Sequence, residues 1–241
     1  MQSVFSADPS IKKMILSRIK MVETNQDALT IFQDLNKTYA NTFNYIFSSA
    51  ETGTWIGASP ELLLNASGYG VSTVSLAGTK PADGSSEWTS KEREEQQIVT
   101  DFIALAFSKN QIKNISITEA HTQKAGPIEH LKSEISGEAE SDEAIFALLE
   151  ELHPTPATCG LPKKKAQENI LKIEAHDRKF YTGFIGILNQ HEKTFFVNLR
   201  CMELQKNRAL LFVGGGITRA SVSEKEWIET EKKSETLRIV L

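Results

Sequence analysis

The sequence has little that would tie it to a scaffold, a membrane or a nucleic acid. Only two of its 241 residues are cysteine, Cys159 and Cys201, and neither lies in a CxxC or Cys/His cluster. That excludes a disulfide framework and a structural zinc site. No stretch approaches the run of about 18 apolar residues that a membrane-spanning helix requires. The opening MQSVFSADPS lacks the basic-then-apolar layout of a signal peptide, so the expected compartment is the cytoplasm. Lysine and glutamate are mixed along the chain, and the net charge is −4. Such a chain lacks the basic stripe of a nucleic-acid binder, and a small molecule or a protein is the expected partner. Low-complexity linkers and internal repeats are absent too.

What is present is an ordinary globular composition, 40% hydrophobic and 24% charged, enough for one large domain or two small ones. Strand-like and helix-like segments alternate. Lys12–Val22 reads as a strand, and Asp27–Ala40 carries Ala28, Ile31, Phe32 and Leu35 at helical spacing. Four strands are expected at Thr42–Ser48, Thr54–Ala58, Glu61–Asn65 and Tyr69–Leu76, joined by Gly and Ser turns. A helix from Glu87 to Ser108 presents Ile98, Val99, Phe102, Ile103 and Ala106 as its apolar stripe. Ser141–Leu152 is a second helix, stopped by His153-Pro154 because proline disfavours helical geometry in the residue before it. Pro162 suits the first turn of a third helix, which runs to Ala175. Strands follow at Tyr181–Leu188, Thr194–Leu204 and Ala209–Val213, then a helix at Ser223, whose spacing to Glu226 makes a capping box. Most strands follow one another without an intervening helix, which predicts antiparallel pairing. The expected fold class is α+β, with large antiparallel sheets flanked by helices.

Several ionisable residues sit in apolar surroundings. Glu95 falls three residues before Ile98 and four before Val99, which puts its carboxylate at the edge of the apolar stripe, with Glu92 roughly opposite. A solvated charge run explains Glu95 equally well. Glu229 stands four residues before Lys233, the spacing of a surface ion pair. Gly214-Gly215-Gly216 follows the strand-like ALLFV and either lets backbone N–H groups approach an anion or makes a tight turn. It is no dinucleotide fingerprint, because the final glycine is missing and the helix comes too late. Arg200, in VNLRCMEL, either points to solvent or meets a carboxylate two-pronged. Lys13 and Glu61 are the remaining charges within apolar segments. Apolar walls favour a neutral lysine, which can act as a base, and a protonated glutamate, which can act as an acid. Solvent-facing strand positions account for both residues as well.

Nine strings taken together resemble the chorismate-utilising enzymes, and among them the isochorismate synthases. They are KMILSR, GASPELLL, SLAGTKP, KEREEQQIV, HPTPATCGLPKKKA, DRKFYTGFIGIL, NLRCMEL, LFVGGGI and EWIETEKKSETL, in the family's order from Lys13 to Leu237. The resemblance implies the fold of the anthranilate and aminodeoxychorismate synthases, with residues 1–241 forming one chorismate-binding catalytic domain. It implies that Lys13 activates water and that Glu61 protonates the departing ring hydroxyl. By the same resemblance Glu95 and Glu229 hold Mg²⁺, while Arg200 and the backbone at Gly214 and Gly215 hold the enolpyruvyl carboxylate. Lys233 helps neutralise the substrate, and Ala77, Gly78, Thr79, His130 and Ala157 line the pocket. Relatives that use ammonia usually carry glutamine where Lys13 stands, and aminodeoxychorismate synthases resemble PIKGT where this chain has Ala77. Both positions therefore favour water as the nucleophile. Salicylate synthases share the lysine and remain an alternative, as does a chorismate-binding homologue without turnover. Family members usually have a long region ahead of the lysine motif, so the resemblance implies a chain without that region. Open sheet edges, which favour association, would follow.

Overall fold

The computed structural model describes residues 2–82, 84, 87–125 and 128–241. The chain opens with a short helix α1 (Gln2–Ala7), strand β1 (Lys13–Glu23) and helix α2 (Ala28–Thr38). Four strands follow: β2 (Phe43–Ser49), β3 (Gly53–Ser59), β4 (Leu62–Ser67) and β5 (Gly70–Pro81). Helix α3 (Ser90–Lys109) leads into β6 (Lys113–Ile117), β7 (His121–Ala125) and β8 (Ile128–Glu138). Then come α4 (Asp142–Leu152), β9 (Gly160–Leu161) and α5 (Lys163–Ile173). The chain finishes with β10 (Phe184–Leu188), β11 (Glu192–Val197), β12 (Cys201–Gln205), β13 (Arg208–Ile217) and α6 (Ser223–Arg238). The α+β architecture is the expected one. No helix among the described residues is long and apolar enough to cross a membrane.

Two compact units result. The first comprises Met1–Glu61, Pro154–Ile185 and Phe196–Leu241, and the second Leu62–His153 and Gly186–Phe195. A six-stranded sheet in the order β2-β3-β12-β13-β1-β9 builds the first unit. Its long central pair, β1 and β13, runs antiparallel from Met14↔Ile217 to Glu23↔Arg208. Alternation along the strands sends side chains to opposite faces. Ile56, Ala58, Met202, Ala209 and Leu211 pack with Ile31 and Leu35 of α2 and Leu237 of α6. Trp55, Cys201 and Phe212 turn the other way, onto Tyr45 and Tyr181. Trp55 and Phe212 are almost wholly buried, and each contributes roughly 1.5–3 kcal/mol by leaving water.

The second sheet has the order β10-β11-β4-β5-β8-β6, with β7 also paired to β8. Helix α3 packs on β5 and β8 through a buried row of Gln96, Thr100, Ile103 and Phe107. This row, not the one drawn through Ile98 and Val99, is the inward face. Periodicity of apolar types misses it because two of its members are polar and satisfied. Gln96 Nε2 donates to the Ser75 carbonyl and hydroxyl, and Thr100 bonds the Ser75 hydroxyl at 2.8 Å.

Helix starts follow local chemistry. Asp27 caps α2 by accepting from the Leu29 and Thr30 amides, and Ser141 caps α4 through the Ala144 amide. The capping box expected at Ser223 and Glu226 does not form; Val222 is the N-cap and no side chain bonds there. Instead, Glu92 reaches back to the amide and hydroxyl of Thr89 at the start of α3. Pro162 is the N-cap of α5, one step earlier than expected.

The segment Thr194–Leu204 is two strands in different sheets rather than one. The break falls at Asn198–Arg200, where Asn198 accepts from the Tyr45 hydroxyl (2.5 Å) and donates to the Phe180 carbonyl (2.8 Å). Continuous apolar character across the break conceals it.

Candidate active site

In the first unit, Lys13 opens β1 opposite Leu161 and is half-buried. Its aliphatic chain lies across Gly216, where a Cβ would come within 2.8 Å of Lys13 Cε and 3.5 Å of Nζ. The glycine triplet is therefore neither a turn nor a loop. Gly214, Gly215 and Gly216 are extended residues of β13, paired with Ser17, Leu16 and Ile15, and at Gly214 and Gly216 a side chain would collide with its neighbours. On the Lys13 face, a Cβ at Gly214 would lie 2.8 Å from the Tyr181 hydroxyl. On the other face, a Cβ at Gly215 would lie 3.8 Å from Glu226 Oε2 and Glu229 Oε1.

Glu61 follows β3, with its carbonyl accepting from the Val197 amide at 2.9 Å. Burial pushes its carboxyl from an ordinary 4.5 up to about 7, and the Lys13 charge pulls it part of the way back. The first unit thus brings the two candidate proton-transfer groups into electrostatic contact, with the acid held near neutrality.

Glu229 pairs with Lys233 at 2.7 Å, and the Lys233 ammonium also donates to the Gly214 carbonyl at 3.1 Å. Arg200 is not a strand residue. It occupies the turn before β12 with φ +47°, left-handed for a non-glycine residue, and its carbonyl accepts from Ala58. Backbone strain of this kind typically costs about 1–3 kcal/mol and persists where surroundings enforce it. Ala157 is exposed in the turn closed by the Thr158 and Cys159 amides on the Thr155 carbonyl.

The second unit holds the remaining candidates. Strand β5 bulges between Ala77 and Thr79, placing Gly78 at φ +64°. A Cβ there would approach Glu92 Cβ to 3.0 Å, so both conformation and space favour glycine. The Ala77 amide donates to Gln96 Oε1 at 2.8 Å, and His130 Nδ1 meets the Gly78 carbonyl at 3.2 Å. Thr79 pairs with His130 across the ladder; its side chain lies outside the described residues. Glu95 is exposed on α3, whereas Glu92 is the half-buried acid, packed against Gly78. That reverses the expected orientation of the two, because the inward row runs through Gln96.

Sequence reasoning missed three features. Glu226 was assigned to a cap and instead shares the Gly215 face with Glu229. Tyr181 stacks on Phe212 with ring centroids 5.8 Å apart, and burial pushes its hydroxyl pKa up. Glu174 and Arg178 form an ion pair beneath β1, with exposures of only 4% and 17%. The DRKFYTG string was the available signal for the last two.

For a divalent cation, no group of three or more His, Cys, Asp and Glu side chains converges among the described residues. The Glu226 and Glu229 oxygens beside Gly215 nevertheless form an all-oxygen donor set. Mg²⁺ commonly takes one or two carboxylates and keeps several waters, so these residues fit it.

Comparison with known proteins identifies the family and the fold. A family described as "Chorismate binding enzyme" matches residues 5–241. Isochorismate synthase EntC of Escherichia coli (strain K12) is 29% identical over 98% of this chain, which spans 63% of that relative's length. A solved structure described as a putative 2,3-dihydroxybenzoate-specific isochorismate synthase, DhbC from Bacillus anthracis, matches with TM-score 0.85 and 30% identity over 99% of this chain and 69% of its own. Anthranilate synthase component I from Streptococcus pneumoniae shares the fold, with TM-score 0.84 and 22% identity over 98% of this chain and 56% of its own. The chain belongs to the chorismate-binding enzyme family.

Proposed function

We propose that this chain is an isochorismate synthase, adding water to chorismate and releasing the ring hydroxyl. One observation carries the reading: a lysine and a carboxyl raised to about 7 lie in electrostatic contact within one unit. In this mechanism Lys13 takes a proton from water while the water oxygen bonds to the ring. Glu61 gives its proton to the departing hydroxyl, which leaves as water. Such proton transfers typically contribute on the order of 100- to 10,000-fold each. Arg200 and the backbone at Gly214 and Gly215 hold the enolpyruvyl carboxylate, and Lys233 offsets the substrate's negative charge. Ala77, Gly78, Thr79, His130 and Ala157 shape the pocket. Burying a dianion demands such compensation. Mg²⁺, held by Glu229 with Glu226 beside it, would supply positive charge to the ring carboxylate.

An anthranilate synthase component 1 of Thermococcus kodakarensis is 27% identical over 95% of this chain, so ammonia in place of water is the second reading. Lys13 and Ala77 favour water. The deciding experiment incubates the purified chain with chorismate and Mg²⁺, with and without ammonium, and resolves the products by chromatography. Isochorismate supports the first reading. An amino product, or salicylate with pyruvate, transfers the chain to another branch, and binding without turnover leaves a non-catalytic homologue.

A further inference from the structure

Strand β1 has an incomplete edge. On one side β13 pairs with it along ten residues. On the other, β9 covers only Lys13 and Met14, and the Ile15 amide donates to the Cys159 carbonyl at 2.9 Å. Beyond that point the Ile15 carbonyl and the Ser17 amide face the same way with no strand to meet them. Groups of this kind are costly when buried without partners.

Two side chains take the place of the missing strand. Arg178 Nη2 donates to the Ile15 carbonyl at 2.7 Å, and the Ser17 amide donates to Glu174 Oε1 at 2.7 Å. The pair is bidentate, with Arg178 Nε on Glu174 Oε2 at 2.7 Å and Nη2 on Oε1 at 2.6 Å. Arg178 Nη1 reaches the Thr158 carbonyl at 2.9 Å and the Thr182 hydroxyl at 3.3 Å. All five guanidinium donors are used. They join β1, the turn carrying Ala157 and Thr158, and the Lys179–Thr182 turn, whose end residues are left-handed at φ +49° and +63°.

A buried ion pair is a weak source of stability but a strict source of geometry. We propose that Arg178 and Glu174 are positioning residues that fix the edge of β1 and so hold the Lys13 amine in place over Gly216. The role in turnover rests on the reading of Lys13 as the base. Neither residue is placed at the reacting atoms. A misplacement of about 1 Å can cost on the order of 100-fold in rate.

The test uses the full chain carrying Arg178→Lys, which keeps the charge and loses the fork, and Glu174→Gln, which keeps the shape and loses the charge. Circular dichroism and thermal melting establish folding. Steady-state kinetics with chorismate and Mg²⁺, and amide hydrogen exchange resolved at Ile15 and Ser17, then follow. The expected result is kcat lowered about 10- to 100-fold, with KM within about twofold. Exchange at Ser17 accelerates while that in α4 is unchanged. Unaltered kcat per folded molecule, a loss confined to KM, or unaltered exchange at Ser17 overturns the proposal. Failure of both variants to fold makes the pair purely structural and overturns it too. If the unsubstituted chain turns over no chorismate, the functional reading fails instead. Exchange at Ile15 and Ser17 then decides the positioning role by itself, faster exchange supporting it and unchanged exchange overturning it.

Discussion

The surroundings of α3 in the second unit and of β1 in the first treat buried polarity differently. Under α3 in the second unit, Gln96, Thr100, Ser75 and Ser133 are buried, neutral and bonded to one another. Around β1 and β13 in the first unit, charge is enclosed instead: Glu61 is pushed up to about 7, Glu174 and Arg178 are paired, and Lys13 lies over a glycine. Neutral networks rigidify a fold without storing reactivity. Desolvated charge is where proton affinity moves toward the working pH. The contrast places the raised carboxyl of Glu61 in the first unit and a neutral hydrogen-bond network under α3 in the second.

Four predictions break or sharpen that contrast. Lys13→Ala has the largest effect, lowering turnover on the order of 100- to 10,000-fold while largely sparing Mg²⁺-dependent chorismate binding. Kinetics paired with calorimetry check it, and equal loss of binding would make Lys13 a substrate holder.

Glu61→Gln comes next, and its sign is fixed by the raised acid. In the folded chain Glu61 keeps its proton up to about 7, and when unfolded only to about 4.5. The folded state therefore binds the extra proton between these values, and stability falls as pH rises through that window. The variant loses turnover, and between pH 5 and pH 8 it loses less stability than the parent does. Denaturant titrations at pH 5 and pH 8 check this, and a parent curve flat between them would remove the buried acid.

Substitutions Glu226→Gln and Glu229→Gln are each expected to raise the Mg²⁺ concentration for half-maximal turnover by about tenfold. An unchanged titration removes that residue from the metal site. The smallest effect belongs to the second unit. Gln96→Leu leaves the Ala77 amide without its partner, costing about 1–3 kcal/mol in stability. A melt unchanged from the parent would show that the neutral network is not what holds α3.

Much of the fold was legible in the sequence where signals are local. Helices α2 and α4 and the run of strands after α2 stand where spacing puts them. Elements that depend on distant partners were not legible. Strands β6 to β8 lack a strong alternation, and the inward row of α3 is half polar. The break between β11 and β12 is set by Asn198 bonding Tyr45 and Phe180. Among site residues, Glu226 could not be told from a cap, because the same spacing serves both uses. Glu92 and Glu95 exchanged orientations because helix rotation is fixed by what Gln96 bonds to on β5.

By itself the sequence determined residue chemistry, element order and ancestry, since each is written in short strings. The proton affinity of Glu61, the two carboxylates facing Gly215 and the side-chain pair completing the edge of β1 were decided only in three dimensions. Desolvation, exclusion and hydrogen-bond satisfaction are properties of neighbours, and here the neighbours come from far along the chain.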